Sequence, residues 1–512
     1  MFDPKQDAVL KTLACLVLLF GATYSALAQT KKPSRNIATE KWIIRKIANG
    51  EEAHLQEAFS KPEDRKLSGS FIQKLLTNTV PGLKVGRRGI HIYDAVVSDP
   101  IDLRNEEIPY TFTLSNCVFE SDVVFRNAHI NGDIDAEKSR FEGSADFEDI
   151  KVEGDAFLRN VVFGREVTFL GAQVNRSLDF DNTQFNDTKN GADFENLHVV
   201  MNTFFRNAVF KGPVDFQSMY VEKNILFDGT TFDGPASFHI AETKKDFIAI
   251  GAQFTNTQAD ANFFGLKVGG NAIFSLSRFA GGLNLSKADV VGNIEFENVK
   301  APNTDRVKSL TGLKADAIFF DGAEFAPPYW LNGMSYRLIS YYMEDDTLLS
   351  FVGNSEYKSD VYSTLESHYQ RTGDTYAARD VHVAWKNRER NVTFSNTRSV
   401  WMWVQYLTTG YGKLLVRALL WGLLFIVIGC IVFWREKGME TQNVNDAEKY
   451  RNRYHPIWYS LATFLPIVNL PDASIWTPKL DRTLARFYLR LHIIFGYLLI
   501  PIGLAAWTGI IK

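Results

Sequence analysis

Phenylalanine returns every 22 residues through the middle of this chain. The series runs Phe119, Phe141, Phe163 and Phe185, resumes after three inserted residues (Asp187, Thr188 and Lys189) at Phe210, Phe232 and Phe254, and after three more reaches Phe279. A fixed period in the twenties is the signature of a solenoid, whose units are too small to bury an apolar face alone and bury it against one another. Three further series share the period. Six residues after each first Phe come Phe125, Phe147, Phe169, Phe194, Phe216, Phe238, Phe263 and Leu285. An aliphatic series follows, with Ile130, Val152, Val174, Val199, Val221, Val268 and Val290, and then a small or aliphatic one, with Ile134, Ala156, Leu178, Ile225, Ala272 and Ile294. Inward side chains about five apart suit short strands joined by bends, whereas helices need apolar spacings of three and four. The expected fold is mainly β: a β-helix with one coil per 22 residues and equivalent side chains ~4.8 Å apart in ladders. Gly143, Gly212, Gly234 and Gly281, two residues after a first-series Phe, read as corners where glycine allows φ > 0.

The phrases Ala128-His129-Ile130, Ala172-Gln173-Val174, Ala208-Val209-Phe210 and Ala288-Asp289-Val290 resemble the cores of degenerate pentapeptide repeats. The resemblance covers residues 100–325 and implies a right-handed quadrilateral β-helix. The 22-residue coil departs from the 20 that four strict pentapeptides would give. A repeat of this kind implies a fold and no activity.

With 512 residues the chain has room for two or three modules, and its net charge of −3 does not suggest a nucleic-acid partner. The 39 phenylalanines are explained by the solenoid core. Three dispersed cysteines (Cys15, Cys117 and Cys430) make no disulfide framework, and the histidines have no metal-ligand spacing. No cofactor is expected.

Residues 1–28 read as a secretory signal. Lys5 and Lys11 precede an apolar run at 13–20, and Ala26-Leu27-Ala28 fits the cleavage rule. Residues 29–84 read as an N-terminal helical cap, which an open solenoid end needs. The β-helix follows at 85–330. A helical hairpin at 331–400, stopped at Gly373 and restarted at Asp374, is expected to cover the far end.

Residues 401–512 read as a membrane module. Two apolar runs, 414–434 and 491–511, are long enough to span a bilayer, and Trp401, Trp403, Tyr406 and Tyr411 precede the first like an interfacial belt. Between the spans, residues 457–470 suit a re-entrant or interfacial segment. Nine Lys or Arg lie within 435–490 and only Lys512 follows the second span, which places the connecting segment inside and the solenoid outside.

Candidate sites fall on the outward solenoid positions and in the membrane module. Just before the second-series residue, successive coils place Val124, Asp146, Thr168, Asp193, Asp215, Ser237, Asn262 and Asn284 in one ladder. Asp146, Asp193 and Asp215 in that ladder are the candidate ligand or partner residues, for a cation or a sugar. The competing reading is the ordinary polar outer side of a strand, and neither Asp146 nor Asp215 has a regularly placed Lys or Arg. In the membrane module, Thr408-Thr409-Gly410-Tyr411-Gly412 matches a potassium-filter string but stands ahead of both spans, so a surface turn is the better reading. The phrase holding Ser460, Thr463 and Phe464, followed by Pro466 and Pro471-Asp472, resembles the pore loop of two-span ion channels, without the filter glycines. This layout, with Tyr362, Leu365 and Glu366 ahead of it, is similar to uncharacterised membrane proteins that carry pentapeptide-type repeats. Thr463, Phe464, Pro466 and Asp472 are the candidate pore-like residues.

The sequence reading is therefore a β-helix scaffold or binding protein tethered to the periplasmic face of a bacterial inner membrane. Its partner is the membrane, with a protein or glycan on the solenoid face. The alternative is a degenerate two-span ion-channel-like pore with a β-helix regulatory domain. A glycan-active enzyme comes third, because no acid–base pair has motif support.

Overall fold

The computed structural model describes residues 36–342, 347–392, 396–434, 436–443, 453–465 and 474–507. The signal-peptide reading of residues 1–28 lies outside them. The chain forms two units, one ending at Glu356 and the other beginning at Tyr357.

In the first unit, each coil turns through four two-residue strands. The coil that starts at Val118–Phe119 continues through Val123–Val124, His129–Ile130 and Ile134–Asp135, and the next starts at Arg140–Phe141. Strands pair in parallel with their equivalents one coil away: Phe119 with Phe141, Val124 with Asp146, Ile130 with Val152, Ile134 with Ala156. Among the described residues the first face holds 12 strands and the second 11, and the third and fourth run together as one sheet of 22.

Inward side chains come in pairs that straddle one outward residue: Cys117 and Phe119, Val123 and Phe125, Ala128 and Ile130, Ile134 and Ala136, all buried. Three residues and then two separate successive pairs (120–122, 126–127, 131–133, 137–138). Two of the four corners are thus one residue longer than a strict pentapeptide allows, and 20 becomes 22. Every short corner ends in a left-handed residue, as at Asn127 (φ +56°), Lys138 (+60°), Asp149 (+53°) and Asn160 (+58°). The backbone therefore repeats every 11 residues, while side-chain type repeats every 22.

This corrects the reading of the glycine corners. Gly143, Gly212, Gly234 and Gly281 sit at long corners, and none has positive φ. They are glycine because the coil beneath is too close. A Cβ would stand 2.4 Å from the Ser121 carbonyl carbon, 2.1 Å from Asp187 O, 2.1 Å from Gly212 O and 2.2 Å from Ala259 O, respectively.

Phenylalanine stacks build the core. Centroids in the first ladder are 4.6 Å apart from Phe119 to Phe141 and 4.4 Å from Phe185 to Phe210, and in the second 5.0 Å from Phe194 to Phe216. Burial contributes roughly 2–3 kcal/mol per ring, and each stacked pair about 0.5–1.5 kcal/mol more. A third ladder, absent from the sequence reading, lies on the fourth face: Phe180, Phe205, Phe227, Phe274, Phe296 and Phe320. Phe247 joins it from the other inward position of its strand, and its rings to Phe227 and Phe274 are tilted.

Insertions fall at one long corner, between the first and second faces. Asp187 closes the first by accepting from the backbone N–H of Lys189 (2.7 Å) and Asn190 (2.8 Å), and Asn256 closes the second in the same way with Gln258 (2.8 Å) and Ala259 (3.0 Å). These N–H groups, Asn190 first, hold the Asp187 carboxyl below its ordinary range. A third insertion precedes Lys308. This lysine occupies an inward position taken by aliphatic residues in earlier coils, and its ammonium donates to the carbonyls of Asn303, Arg306 and Ala326.

Helices α1 (Ile37–Ala48), α2 (Leu55–Ala58) and α3 (Gly69–Leu76) precede the coils, and α3 is capped by Ser68. Strands Ala53–His54 and Lys66–Leu67 between them already pair with Ile92–Tyr93 and Val96–Val97. The far end is closed by α4 (Leu348–Gly353), where the sequence pointed to the hairpin. Phe351 of α4 seats its ring 5.1 Å from Phe320 and 4.7 Å from Tyr329.

The second unit contains the hairpin, α5 (Ser359–Thr372) and α6 (Thr375–Val392), turned by Gly373 at φ +84° and capped by the Asp374 carboxylate on Ala377 N–H (2.9 Å). Then come α7 (Asn396–Thr409), α8 (Leu415–Val432), the short α9 (Pro456–Phe464) and α10 (Thr483–Trp507). Helix α10 starts eight residues ahead of the apolar run at 491–511. Its segment Thr483–Ile502 is long and apolar enough to cross a membrane, and Val416–Val432 is a shorter apolar helix. Short α9 is gripped by glycine contacts: Gly429 meets Ser460, Gly422 meets the Phe464 ring and Gly496 meets the Phe464 carbonyl. Small residues of this kind let helices approach closely.

Candidate functional site

The acidic ladder stands outward on the second face. Asp193 and Asp215 are register partners, while Thr168 lies between Asp146 and Asp193. The structure therefore brings two of the three carboxylates together and leaves Asp146 two coils away. In each residue Oδ1 accepts the backbone N–H two positions on: Glu148 (3.0 Å), Glu195 (2.9 Å) and Gln217 (2.8 Å). Thr168, Asn262 and Asn284 do the same at 3.1, 3.2 and 3.1 Å. The column's shared feature is a short acceptor side chain that closes the left-handed corner beside it.

Differences within the column are electrostatic. Asp146 has a partner that spacing did not show: the Arg126 guanidinium, one coil back, reaches it at 3.0 Å and Glu148 at 2.8 Å. Among the described ion pairs Asp193 and Asp215 have none. Half-burial, with the charges of Asp215 and Glu195 added, pushes the Asp193 carboxyl above its ordinary range. The pair lines an open hollow of about 400 Å³ with Asn190, Pro213, Ser237 and Asn262. Such a hollow offers acceptors to hydroxyl or amide donors. Among the described residues no group of three His, Cys, Asp or Glu is placed to hold a metal.

Two outward columns escaped the sequence reading. At the long corner between the third and fourth faces, side chains accept the backbone N–H of the next coil: Asp133 from Asp155 (2.8 Å), Asp155 from Ser177 (2.9 Å), Asn224 from Asp246 (3.1 Å), Asp246 from Asn271 (2.7 Å). This acidic and amide ladder is structural. On the fourth face, Phe204, Leu226, Ile248 and Ile273 form an outward run in register through four coils, with Ile250 and Leu276 exposed beside it. Outward strand positions are ordinarily polar. The fourth series skipped Thr203 and Phe247; including those two coils and reading the residue after each position would have exposed the run.

In the pore-like segment, Thr463 and Phe464 are buried at the end of α9, and Pro466 and Asp472 lie outside the described residues. The Thr463 hydroxyl donates to Tyr459 O (2.8 Å) of its own helix. Thr408 and Thr409 end α7, and Gly410, Tyr411 and Gly412, all left-handed (φ +56°, +58°, +81°), lead toward α8, with Thr409 Oγ1 accepting from Gly412 N–H (3.0 Å). That geometry is a turn at a helix end, with Thr409 and Tyr411 buried in it. The four-residue aromatic belt divides: Trp401 and Trp403 are exposed, while Tyr411 is buried, donating to Asn387 Oδ1 (3.1 Å) and accepting from Arg390 (3.0 Å).

A polar cluster that spacing did not reveal joins α8, α9 and α10. His492 lies 2.9 Å from Ser460 O through Nε2 and 3.3 Å from the Tyr488 hydroxyl through Nδ1, and that hydroxyl donates to Phe425 O (2.9 Å). The Ser460 hydroxyl, 3.4 Å from Nε2, gives its proton to Ile426 O at 2.8 Å. A histidine nitrogen facing a carbonyl carries its proton there and cannot act as base toward the serine. The cluster ties three helices and is not a nucleophilic dyad.

The family described as pentapeptide repeats (9 copies) matches residues 112–151 and 136–184. Comparison with curated proteins and with solved structures found no match. The matched segment lies wholly within the four-sided coils, with paired inward residues and left-handed short corners. Pentapeptide repeats in this segment, set within a β-solenoid, support a pentapeptide-repeat β-helix protein.

Proposed function

We propose that this protein is a β-helix scaffold or binding protein tethered to a membrane by its second unit, with the solenoid on the periplasmic face of a bacterial inner membrane. One observation carries the tether: α8 and α10 are apolar and largely uncovered, with Leu419 73% exposed and only 17% of the spanning window of α10 buried. Apolar helices left bare in water would be strongly disfavoured, and a bilayer removes that cost. The solenoid supplies the binding surface. Its acceptor column at Asp193 and Asp215 suits a glycan or a polar protein segment, and the apolar run from Phe204 to Ile273 suits a protein. No catalytic step is assigned.

Fractionation tests the tether. The full chain should leave the membrane pellet with detergent and stay there in carbonate or high salt. Release by salt alone would remove the tether. Reporter fusions at Ser395, Glu440 and Lys512 test the side: Ser395 and Lys512 outside with Glu440 inside supports the periplasmic placement, and the reverse overturns it.

One feature favours the pore as second reading. A short helix, α9, is clasped between two longer apolar helices in the order of a two-span channel. Conductance of the full chain in liposomes, changed by Thr463→Val, would support it. Sealed liposomes at every potential would remove it.

A further inference from the structure

The α6–α8 segment carries an excess of positive charge in its sequence. Between residues 386 and 417 stand six Lys or Arg (Lys386, Arg388, Arg390, Arg398, Lys413 and Arg417) and one acid, Glu389. Glu389 goes to Lys386 (2.9 Å) and Arg398 (2.6 Å), and Lys413 lies 3.8 Å from Glu366. Arg390 and Arg417 are placed differently. Both guanidiniums stack on one ring, Tyr406, at 4.8 and 4.6 Å from its centroid, and Arg390 also stacks on Trp403 at 3.9 Å. Arg390 donates to the Tyr411 hydroxyl (3.0 Å) and Arg417 to the Tyr406 carbonyl (2.9 Å). These contacts orient the two cations without neutralising them, and among the described ion pairs neither arginine meets a carboxylate.

The surroundings identify the missing counter-charge. From this stack α8 runs off with an apolar, exposed surface at Val416, Leu419, Leu420 and Leu423. Helix α7 presents Val400, Trp401, Val404 and Leu407 to the outside and is tied to α8 by the Trp421 indole N–H on Leu407 O (2.8 Å). Apolar surface, exposed tryptophan and fixed guanidiniums in sequence match the acyl, interfacial and phosphate levels of a bilayer leaflet. Planar guanidinium suits the two free oxygens of a phosphodiester.

We propose that the Arg390–Tyr406–Arg417 stack holds the phosphate of an anionic phospholipid, with α7 lying in the interface of the same leaflet. This rests on the tether reading of α8 and α10. The protein would thereby select anionic lipid at the foot of its first apolar helix.

The test uses the full chain in vesicles of phosphatidylcholine containing trace nitroxide-labelled phosphatidylglycerol or phosphatidylcholine. The fraction of label immobilised at the protein gives relative association. The wild type should favour phosphatidylglycerol, and Arg390→Gln or Arg417→Gln should each lower the preference about fivefold, the worth of one basic side chain at an anionic surface. Arg390→Lys and Arg417→Lys keep the charge and should keep part of the preference, which separates charge recognition from misfolding. Equal association of both lipids with the wild type overturns the proposal, and so does a preference that survives the double Gln variant. A chain that fails to enter vesicles at all would instead sink the tether on which the proposal rests.

Discussion

Two consecutive residues, Asp193 and Phe194, separate what holds the solenoid from what decorates it. Phe194 is fully buried, stacked on Phe169 (5.5 Å) and Phe216 (5.0 Å) and edge-on to Phe180, Phe185, Phe205 and Phe210 at 5.5, 5.8, 5.3 and 6.3 Å. Truncation of a buried Phe costs about 3–5 kcal/mol, the higher values where the site cannot collapse. Here the surrounding backbone is fixed by ladders on every face, so Phe194→Ala should lie near the upper end. Asp193→Ala removes one corner hydrogen bond at 2.9 Å, worth about 1 kcal/mol, and also relieves repulsion from Asp215. Its net effect should stay within about 1 kcal/mol. Because stability in a repeat array is nearly a sum of neighbour terms and global unfolding need not be two-state, hydrogen exchange of the full chain in detergent is the suitable assay. Phe194→Ala should open the coils from Phe169 to Phe216, with exchange there faster by two to three orders of magnitude or more, as about 1.4 kcal/mol per tenfold requires. Asp193→Ala should leave those coils protected. Equal losses in the two variants, or none in Phe194→Ala, would refute the division into inward framework and outward surface.

Other substitutions test separate features. Raised above its ordinary value by burial, the Asp193 carboxyl binds its proton more tightly folded than unfolded; the associated stability is present at low pH and lost as pH rises through the folded value, so Asp193→Asn should raise the melting temperature at pH 7 and not at pH 3. Ile240 occupies a left-handed corner at φ +50°, where a β-branched residue is strained by roughly 1–2 kcal/mol, and Ile240→Asn should raise the thermal midpoint. Lys308→Met strands three carbonyls in the third insertion, at about 1 kcal/mol or more, and limited proteolysis should then cut within 303–307.

The 22-residue period was legible because an inward ladder demands like residues one coil apart, and Phe marks it plainly. Insertions did not hide it, since they enter where the corner already protrudes. The 11-residue backbone repeat was signalled more faintly. Asn, Asp or Gly stands at most of its left-handed corners, as at Asn105, Asn116, Asn127, Asp149, Asn160, Gly171 and Asn182, but Lys138, Ser218, Ile240 and Leu276 interrupt the series, and the inward Phe ladders drew the reading to 22. The third Phe ladder was masked at its start by Ala136 and Leu158 and interrupted where Phe247 and Ala249 exchange inward places. In the second unit, His492 and Ser460 are 32 residues apart, and only the packing of α8, α9 and α10 brings them together. The ladder at Asp146, Asp193 and Asp215 was visible as composition, but its bonds to the corner two residues on are set by turn geometry, which spacing does not carry.

A solenoid of this kind decouples its two surfaces. Inward pairs are constrained by the coil above and the coil below, so any departure there must be compensated locally, as the Lys308 ammonium is by three carbonyls. Outward residues answer to their own corner and to solvent, and most are explained once those demands are counted: Asp133 and Asp155 by the coil-to-coil N–H groups, Asp146 by Glu148 N–H and Arg126. Folding supplies no reason for the run from Phe204 to Ile273. Asp193 and Asp215 each close a corner by accepting the N–H of Glu195 or Gln217, but a corner asks only for an acceptor, as Thr168 and Asn262 show, and does not require two facing carboxylates. The same subtraction in the second unit leaves Arg390 and Arg417, whose contacts fix their direction but not their charge. Residues that stability does not account for are where the proposed binding is to be tested first, and they lie on two solenoid faces and at the foot of α8.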